Sequence, residues 1–344
     1  MSKKKYALVT SLKTKTYKMR FRCFINIIYY SVLSLFFLIT GNMVNFFKFS
    51  KKLNEVLTYR TPKNYGHGAV SASMVRGFRE LNIPFTINEI TKDTEIVIIL
   101  ATTSEEMEEL SMLKKAGKIK KIVTTPACSL SQQFVFELPT YDCVDMAFIA
   151  SDFVKKVYQK NLNNPSEEVM KKIIPWPSGV QVSENIHKKP ISKSCICYYK
   201  HLPINDELTK LVEDKGIKVY NIEYYKYRFE EYMKLLQKVD FVIYYQNYIE
   251  TQGLAMAEAW AKNCPTFILY NENEYGGVTA PYLTNSTGAF YKDFSELENI
   301  LDEYLSNPEL FISKFYPQEW CLNNMSDRST VKELIKLLGE WNAS

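Results

Sequence analysis

The chain has little of what metal and redox sites are made from. Only three histidines (His67, His187 and His201) occur in 344 residues. There is no His-Glu-x-x-His run and no spaced Cys/His quartet, so no bound structural metal is expected. The seven cysteines form no pair of pairs and suggest no disulfide framework. Cys195 and Cys197 alternate along one apparent strand, as small buried hydrophobes would. No G-x-G-x-x-G follows a first strand and no G-x-x-x-x-G-K-[ST] occurs, which removes the main support for dinucleotide and P-loop readings. Acidic residues are missing from the front of the chain until Glu55. Eleven Lys or Arg lie between Lys3 and Lys52, so the net charge of +5 hides a body with 32 basic against 38 acidic residues. An acidic body argues against nucleic acid as a partner, since binding a phosphate backbone needs a basic face.

Between Arg22 and Lys48 no charge interrupts the run "CFINIIYYSVLSLFFLITGNMVNFF". Its apolar core, Phe24 to Thr40, is 17 residues, near the short limit for a helix that spans a bilayer. Eight basic residues precede the run and three follow. That bias predicts a single-pass anchor with a cytoplasmic N-terminus and the body beyond it. Peripheral docking of the same segment at the membrane surface is the competing expectation, as is an extension upstream of a start near Met43.

The body alternates strand-like and helix-like stretches. "EVLTYR" (55–60), "PFTIN", "TEIVIILA", "KIVTTP" and "MAFIAS" read as strands, and "TEIVIILA" is as continuously apolar as a buried parallel strand. A break at "IIPWPSGV" leads into a linker near 180–193. The rhythm then resumes with "SCICYY", "IKVYNI", "DFVIYY" and "PTFILY", separated by helical patterns. Two α/β halves with parallel sheets follow from this alternation, with ligands at the carboxyl ends of the strands.

The stretch "YIETQGLAMAEAWAKNCPTFILY" (248–270) sits at such an end. A buried strand precedes it, and Gln252, Gly253 and Leu254 begin a helix whose free amides favour an anion such as a diphosphate. Gly253 lets a ligand approach the backbone. Glu258 lies about 6 Å further along the helix axis, with its side chain tilted back toward the N-terminus. A carboxylate there suits a ribose diol, and Glu250, ahead of the helix, is left to meet what lies beyond the phosphates. Diphosphate, ribose and a further polyol describe a nucleotide sugar.

This constellation resembles the Glu-x7-Glu motif of retaining GT-B glycosyltransferases of the family 4, or group 1, type. The pattern E-x-F-G-L-x-x-x-E-A-x-A-x-G-x-P is met at Glu250, Gly253, Leu254, Glu258, Ala259, Ala261 and Pro265. Gln252 replaces the usual Phe and Asn263 the usual Gly. More loosely, "IPWPSGV" and "ASDFVKKVY" resemble the family's hinge and the segment before it. The resemblance implies two Rossmann-like domains, hexosyl transfer with retention and no catalytic metal. It further implies a nucleotide-sugar donor as substrate, with no separate cofactor, and a glycan, lipid or protein hydroxyl as acceptor. Carried over, Glu250 touches the transferred sugar, Glu258 the ribose, and the amides near Gly253 and Leu254 the diphosphate. Lys200 in "YYKHL" stands where the family has an arginine, and no equivalent of the family's following lysine is present. Arg228 in "YYKYRF" could supply that charge, or be an exposed helix-start residue. "NYGHGAV" stands in the place of the family's Gly-rich loop, so Gly68 could admit the donor and His67 could meet the acceptor, with a plain turn as the alternative.

The expected organisation is a basic segment over 1–22, a hydrophobic anchor helix over 23–47, an N-terminal acceptor domain over 55–189 and a C-terminal donor domain over 190–330. A terminal helix over 331–344 has the option of crossing back. A non-catalytic sugar-nucleotide-binding protein of the same fold is the rival from another class, and a sugar-nucleotide epimerase is a rival among enzymes.

Overall fold

A computed structural model describes residues 5–10, 28–29, 31–40, 43, 45, 67–101, 104–125, 133–186, 189–224 and 226–339. Two sheets organise the chain. The first has six strands in the order β2-β1-β3-β4-β5-β6. These are β1 (Tyr6–Thr10), β2 (Phe85–Ile87), β3 (Ile96–Ala101), β4 (Lys121–Thr124), β5 (Met146–Ile149) and β6 (Ile173–Pro175). The second has the order β11-β10-β9-β7-β8. Its strands are β7 (Ser194–Lys200), β8 (Lys218–Glu223), β9 (Phe241–Gln246), β10 (Thr266–Leu269) and β11 (Gly288–Tyr291). The strand pairs with a described register are parallel in both sheets. The α/β expectation of two separate parallel sheets therefore holds.

In β7 the alternation of side chains sorts residues between two cores. Ile196 and Tyr198 join one cluster with Val242, Tyr244, Met256 and Trp260. Cys195 and Cys197 face the other, with Phe241, Phe267, Leu297 and Tyr304. The two cysteines are thus buried free thiols, as small hydrophobes are, and burial pushes the Cys195 thiol well above its ordinary range. Covering both faces requires helices on both sides, as in doubly wound folds.

The front of the chain departs from expectation. Residues 6–10, counted within a basic segment, form β1, which pairs with β2 on one side and β3 on the other. Ala7 and Leu8 are fully buried there. The expected first strand at 55–60 lies outside the described residues. Among the described residues no helix is long and apolar enough to cross a membrane. Residues 31–39 are helical, and the remainder of 23–47 is only partly described. The topology also argues against a single pass. β1 precedes the hydrophobic run and β3 follows it, yet the two are hydrogen-bonded neighbours. One crossing would leave them on opposite sides of the bilayer. The described residues thus lend the single-pass anchor no support.

By packing, the chain separates into two compact units, one of residues 1–72, 84–127 and 137–147, the other of 73–83, 128–136 and 148–344. The second unit thus gathers stretches that sequence reasoning had put in the acceptor domain. Its terminal helix, Asp327–Leu337, supplies the reason. Arg76 holds Asp327 through two guanidinium nitrogens, one Nη2–Oδ1 contact being 3.2 Å. Trp176 Nε1 donates to the Thr330 carbonyl at 2.9 Å, and Val180 exchanges backbone bonds with Met325 and Asp327. A Cβ on Gly77 would come within 2.2 Å of the Asp327 carbonyl oxygen. Gly77→Ala should therefore force the two helices apart and cost about 1–3 kcal/mol, read as a lower denaturant midpoint. An unchanged midpoint would show that this contact gives way freely.

Candidate functional site

The second sheet ends at a group of polar residues on one face. Lys200 closes β7 and is in register with Gln246, which closes β9. In parallel strands such partners point to the same side. The loop after β9 brings back Glu250, 7% exposed, whose Oε1 accepts a hydrogen bond from Lys200 Nζ. Two rings flank the same ammonium, with centroids 4.9 Å away for Tyr224 and 5.4 Å for Tyr248. His201, next in the chain, has a left-handed backbone (φ 57°) and sets its ring 5.1 Å from that of Tyr248. A cation and a carboxylate fifty residues apart in sequence are thus joined in a mostly buried, aromatic-walled site.

The helix starts where the sequence placed it. It runs Leu254–Trp260, with Gly253 as its cap in the left-handed region (φ 81°, ψ 56°). That conformation favours glycine, and a Cβ would also meet Met256 Sδ at 3.0 Å. Two tyrosines on the sheet and a helix fix its first turn. The hydroxyls of Tyr232 and Tyr244 lie 2.6 Å apart and 2.8 and 2.9 Å from the Ala255 carbonyl, so one donates to the other and the second to the carbonyl. Tyr198 and Tyr227 extend this hydroxyl cluster at 2.9 Å. Sequence reasoning missed the cluster, although the doublets "YYK", "YYKYR" and "IYYQ" mark it.

Glu258 lies one turn further, partly buried. Among the described residues no side-chain or backbone donor is hydrogen-bonded to its carboxylate. Burial raises its pKa from 4.5 to about 8, against a lowering by the Arg76 charge. Arg76 was not foreseen as a neighbour, because it comes from the helix His67–Glu80, far away in sequence. Gln246 is a second residue that sequence reasoning missed. It is fully buried, its Nε2 donates to the carbonyls of Tyr248 and Thr279, and its Oε1 has no partner among the described residues.

Other expected residues have different duties. Gln252 spends its amide on the backbone of Ser178, accepting from the N–H at 3.0 Å and donating to the carbonyl at 2.5 Å. It ties the Pro-rich 173–180 break to the loop of Glu250, which explains an amide where the family pattern has Phe. Arg228 is an exposed cap of the helix Phe229–Leu235, with its backbone N–H donating to Glu231. Among the described residues no contact joins it to Lys200 or Glu250. Gly68 and His67 open the helix His67–Glu80 instead of forming a glycine-rich loop, because small residues after them continue the helix to its start. They belong to the first compact unit. His187 lies outside the described residues. No group of three His, Cys, Asp or Glu is placed to hold a metal among the described residues.

No protein-family profile matches the chain, and no curated protein matches it in sequence. Solved structures do match in fold. Anabaena Alr3699/HepE in complex with UDP aligns over 82% of this chain and 98% of its own, at 8% identity and a TM-score of 0.51. The same protein with UDP and glucose aligns over 98% and 100%, at 10% identity and a TM-score of 0.50. A glycosyltransferase from Rickettsia africae ESF-5 aligns over 98% and 99%, at 11% identity and a TM-score of 0.50. At such identities the likeness establishes the shared fold. This chain has the two-sheet architecture of those proteins.

Proposed function

We propose that this protein is a glycosyltransferase that moves a sugar from a nucleotide-sugar donor to a hydroxyl acceptor, with retention and without a catalytic metal. The observation that carries the reading is the Lys200–Glu250 pair at the carboxyl end of the second sheet, with Glu258 in the helix that follows. Lys200 would neutralise the departing diphosphate, the largest charge developed in the reaction. Glu250 would hold hydroxyls of the sugar as it becomes cation-like, and Glu258 the ribose diol. UDP and glucose, bound by the Anabaena protein of the same fold, make UDP-sugars the first donors to try. The transfer breaks the bond from the anomeric carbon to the diphosphate oxygen. The acceptor oxygen takes its place, and its proton passes to the departing diphosphate oxygen.

A nucleotide-binding protein without catalysis is the second reading, favoured by the absence of the family's second lysine. Thermal shifts across a panel of nucleotide sugars will show binding, because a ligand of the native state raises the midpoint. Nucleoside diphosphate release and the anomeric configuration of the product, read by NMR, then separate the readings. Release with retention is expected. Binding of a donor with no release over a broad acceptor panel would favour the non-catalytic protein, and inversion would remove the retaining assignment.

A further inference from the structure

The helix over residues 31–39 is built inside out. A helix of a globular protein turns its apolar stripe inward and its polar residues to water. Here Ser34 is the buried residue at 7% exposure, while Val32, Leu35, Phe36 and Ile39 are 55–76% exposed. Ile28 and Met43 are exposed as well. Scattered exposed hydrophobes are ordinary, but a contiguous group of this kind marks a contact surface.

Charge and topology together identify what covers it. The eleven basic residues between Lys3 and Lys52 bracket the helix on both sides, with no acid among them. Basic flanks around an exposed apolar helix face complement anionic headgroups above an acyl layer. They would repel the same flanks of a second copy. The chain enters this segment from β1 and returns to β3 of the same sheet, so it cannot cross the bilayer once. Among the described residues no helix is long and apolar enough to cross a membrane.

We infer that the exposed face of Val32, Leu35, Phe36 and Ile39 lies in the surface of an anionic lipid bilayer, docking the protein without spanning it. The basic flanks sit at the headgroups, and the apolar side chains enter the outer acyl region. This docking surface stands on its own and does not depend on the sugar-transfer reading.

Flotation of the full chain with vesicles tests it. The protein should float with phosphatidylcholine vesicles holding about 30 mol% phosphatidylglycerol, and far less with phosphatidylcholine alone. Raising the salt should weaken the association. Leu35→Asp/Phe36→Asp/Ile39→Asp should lower the floated fraction by roughly tenfold or more while leaving the circular dichroism unchanged. Ile39→Asp alone, at the most exposed position, keeps the test valid if the triple variant fails to fold. Alkaline carbonate should release the wild type from membranes. No flotation of the wild type, or equal flotation of a folded variant, would overturn the inference. Resistance to carbonate would also overturn it, as would a vesicle-free dimer that the substitutions dissociate.

Discussion

Lys200→Met lowers turnover by about 30- to 1000-fold, the loss expected when one well-placed charge no longer meets the leaving group. The same change leaves Glu250 buried without its cation, which should cost roughly 3 kcal/mol of stability. The two effects separate in the double variant Lys200→Met/Glu250→Gln. Two neutral side chains need no pairing, so the thermal midpoint should recover toward the wild type. Turnover should not recover, since neither the diphosphate nor the sugar regains its partner. Steady-state kinetics and thermal melts on the same preparations provide the check. A double variant that regains both stability and turnover would make the Lys200–Glu250 pair a structural ion pair only.

Glu258 should make both stability and donor affinity depend on pH, in opposite directions. Its folded pKa of about 8 stands above the ordinary 4.5. Between those values the unfolded chain has released a proton that the folded chain keeps. Stability therefore falls as pH rises through that window, by an amount on the order of a few kcal/mol, and levels off above it. A ribose diol donates both its hydrogens and needs the ionised carboxylate as acceptor. Donor binding should thus expel a proton and tighten by up to about tenfold per pH unit between roughly pH 6 and 8. Glu258→Gln should flatten both dependences and weaken donor binding above pH 8 by about 1.5–3 kcal/mol. Calorimetric titrations in buffers of different ionisation enthalpy measure the proton directly. Donor affinity that is independent of pH in the wild type would remove the ribose role from Glu258.

How far the sequence could be read depended on whether a signal was local. β3, β7, β9 and the start of the Leu254–Trp260 helix were legible because each carries its own apolar run or its own glycine. β1 was not legible. Its five residues sit among eight lysines and arginines, and the charge of the flanks outweighed the strand. The hydrophobic segment was legible in composition, but the pairing of β1 with β3 on either side of it was not. Gln252 looked like a ligand residue because its bond to Ser178 spans 74 residues. Arg76 came into view only through the packing of its helix on the Asp327–Leu337 helix. The pair of Lys200 and Glu250 needed the resemblance to be noticed and the parallel register of β7 with β9 to be assembled.

A crystal structure of the protein with a bound nucleoside diphosphate, UDP first, tests the central claim most directly. The account predicts the ribose hydroxyls on the Glu258 carboxylate and the terminal phosphate turned toward Lys200, with Glu250 freed to face the sugar position. A nucleotide seated away from the carboxyl end of the second sheet, with Glu258 untouched and Lys200 still closed on Glu250, would contradict it.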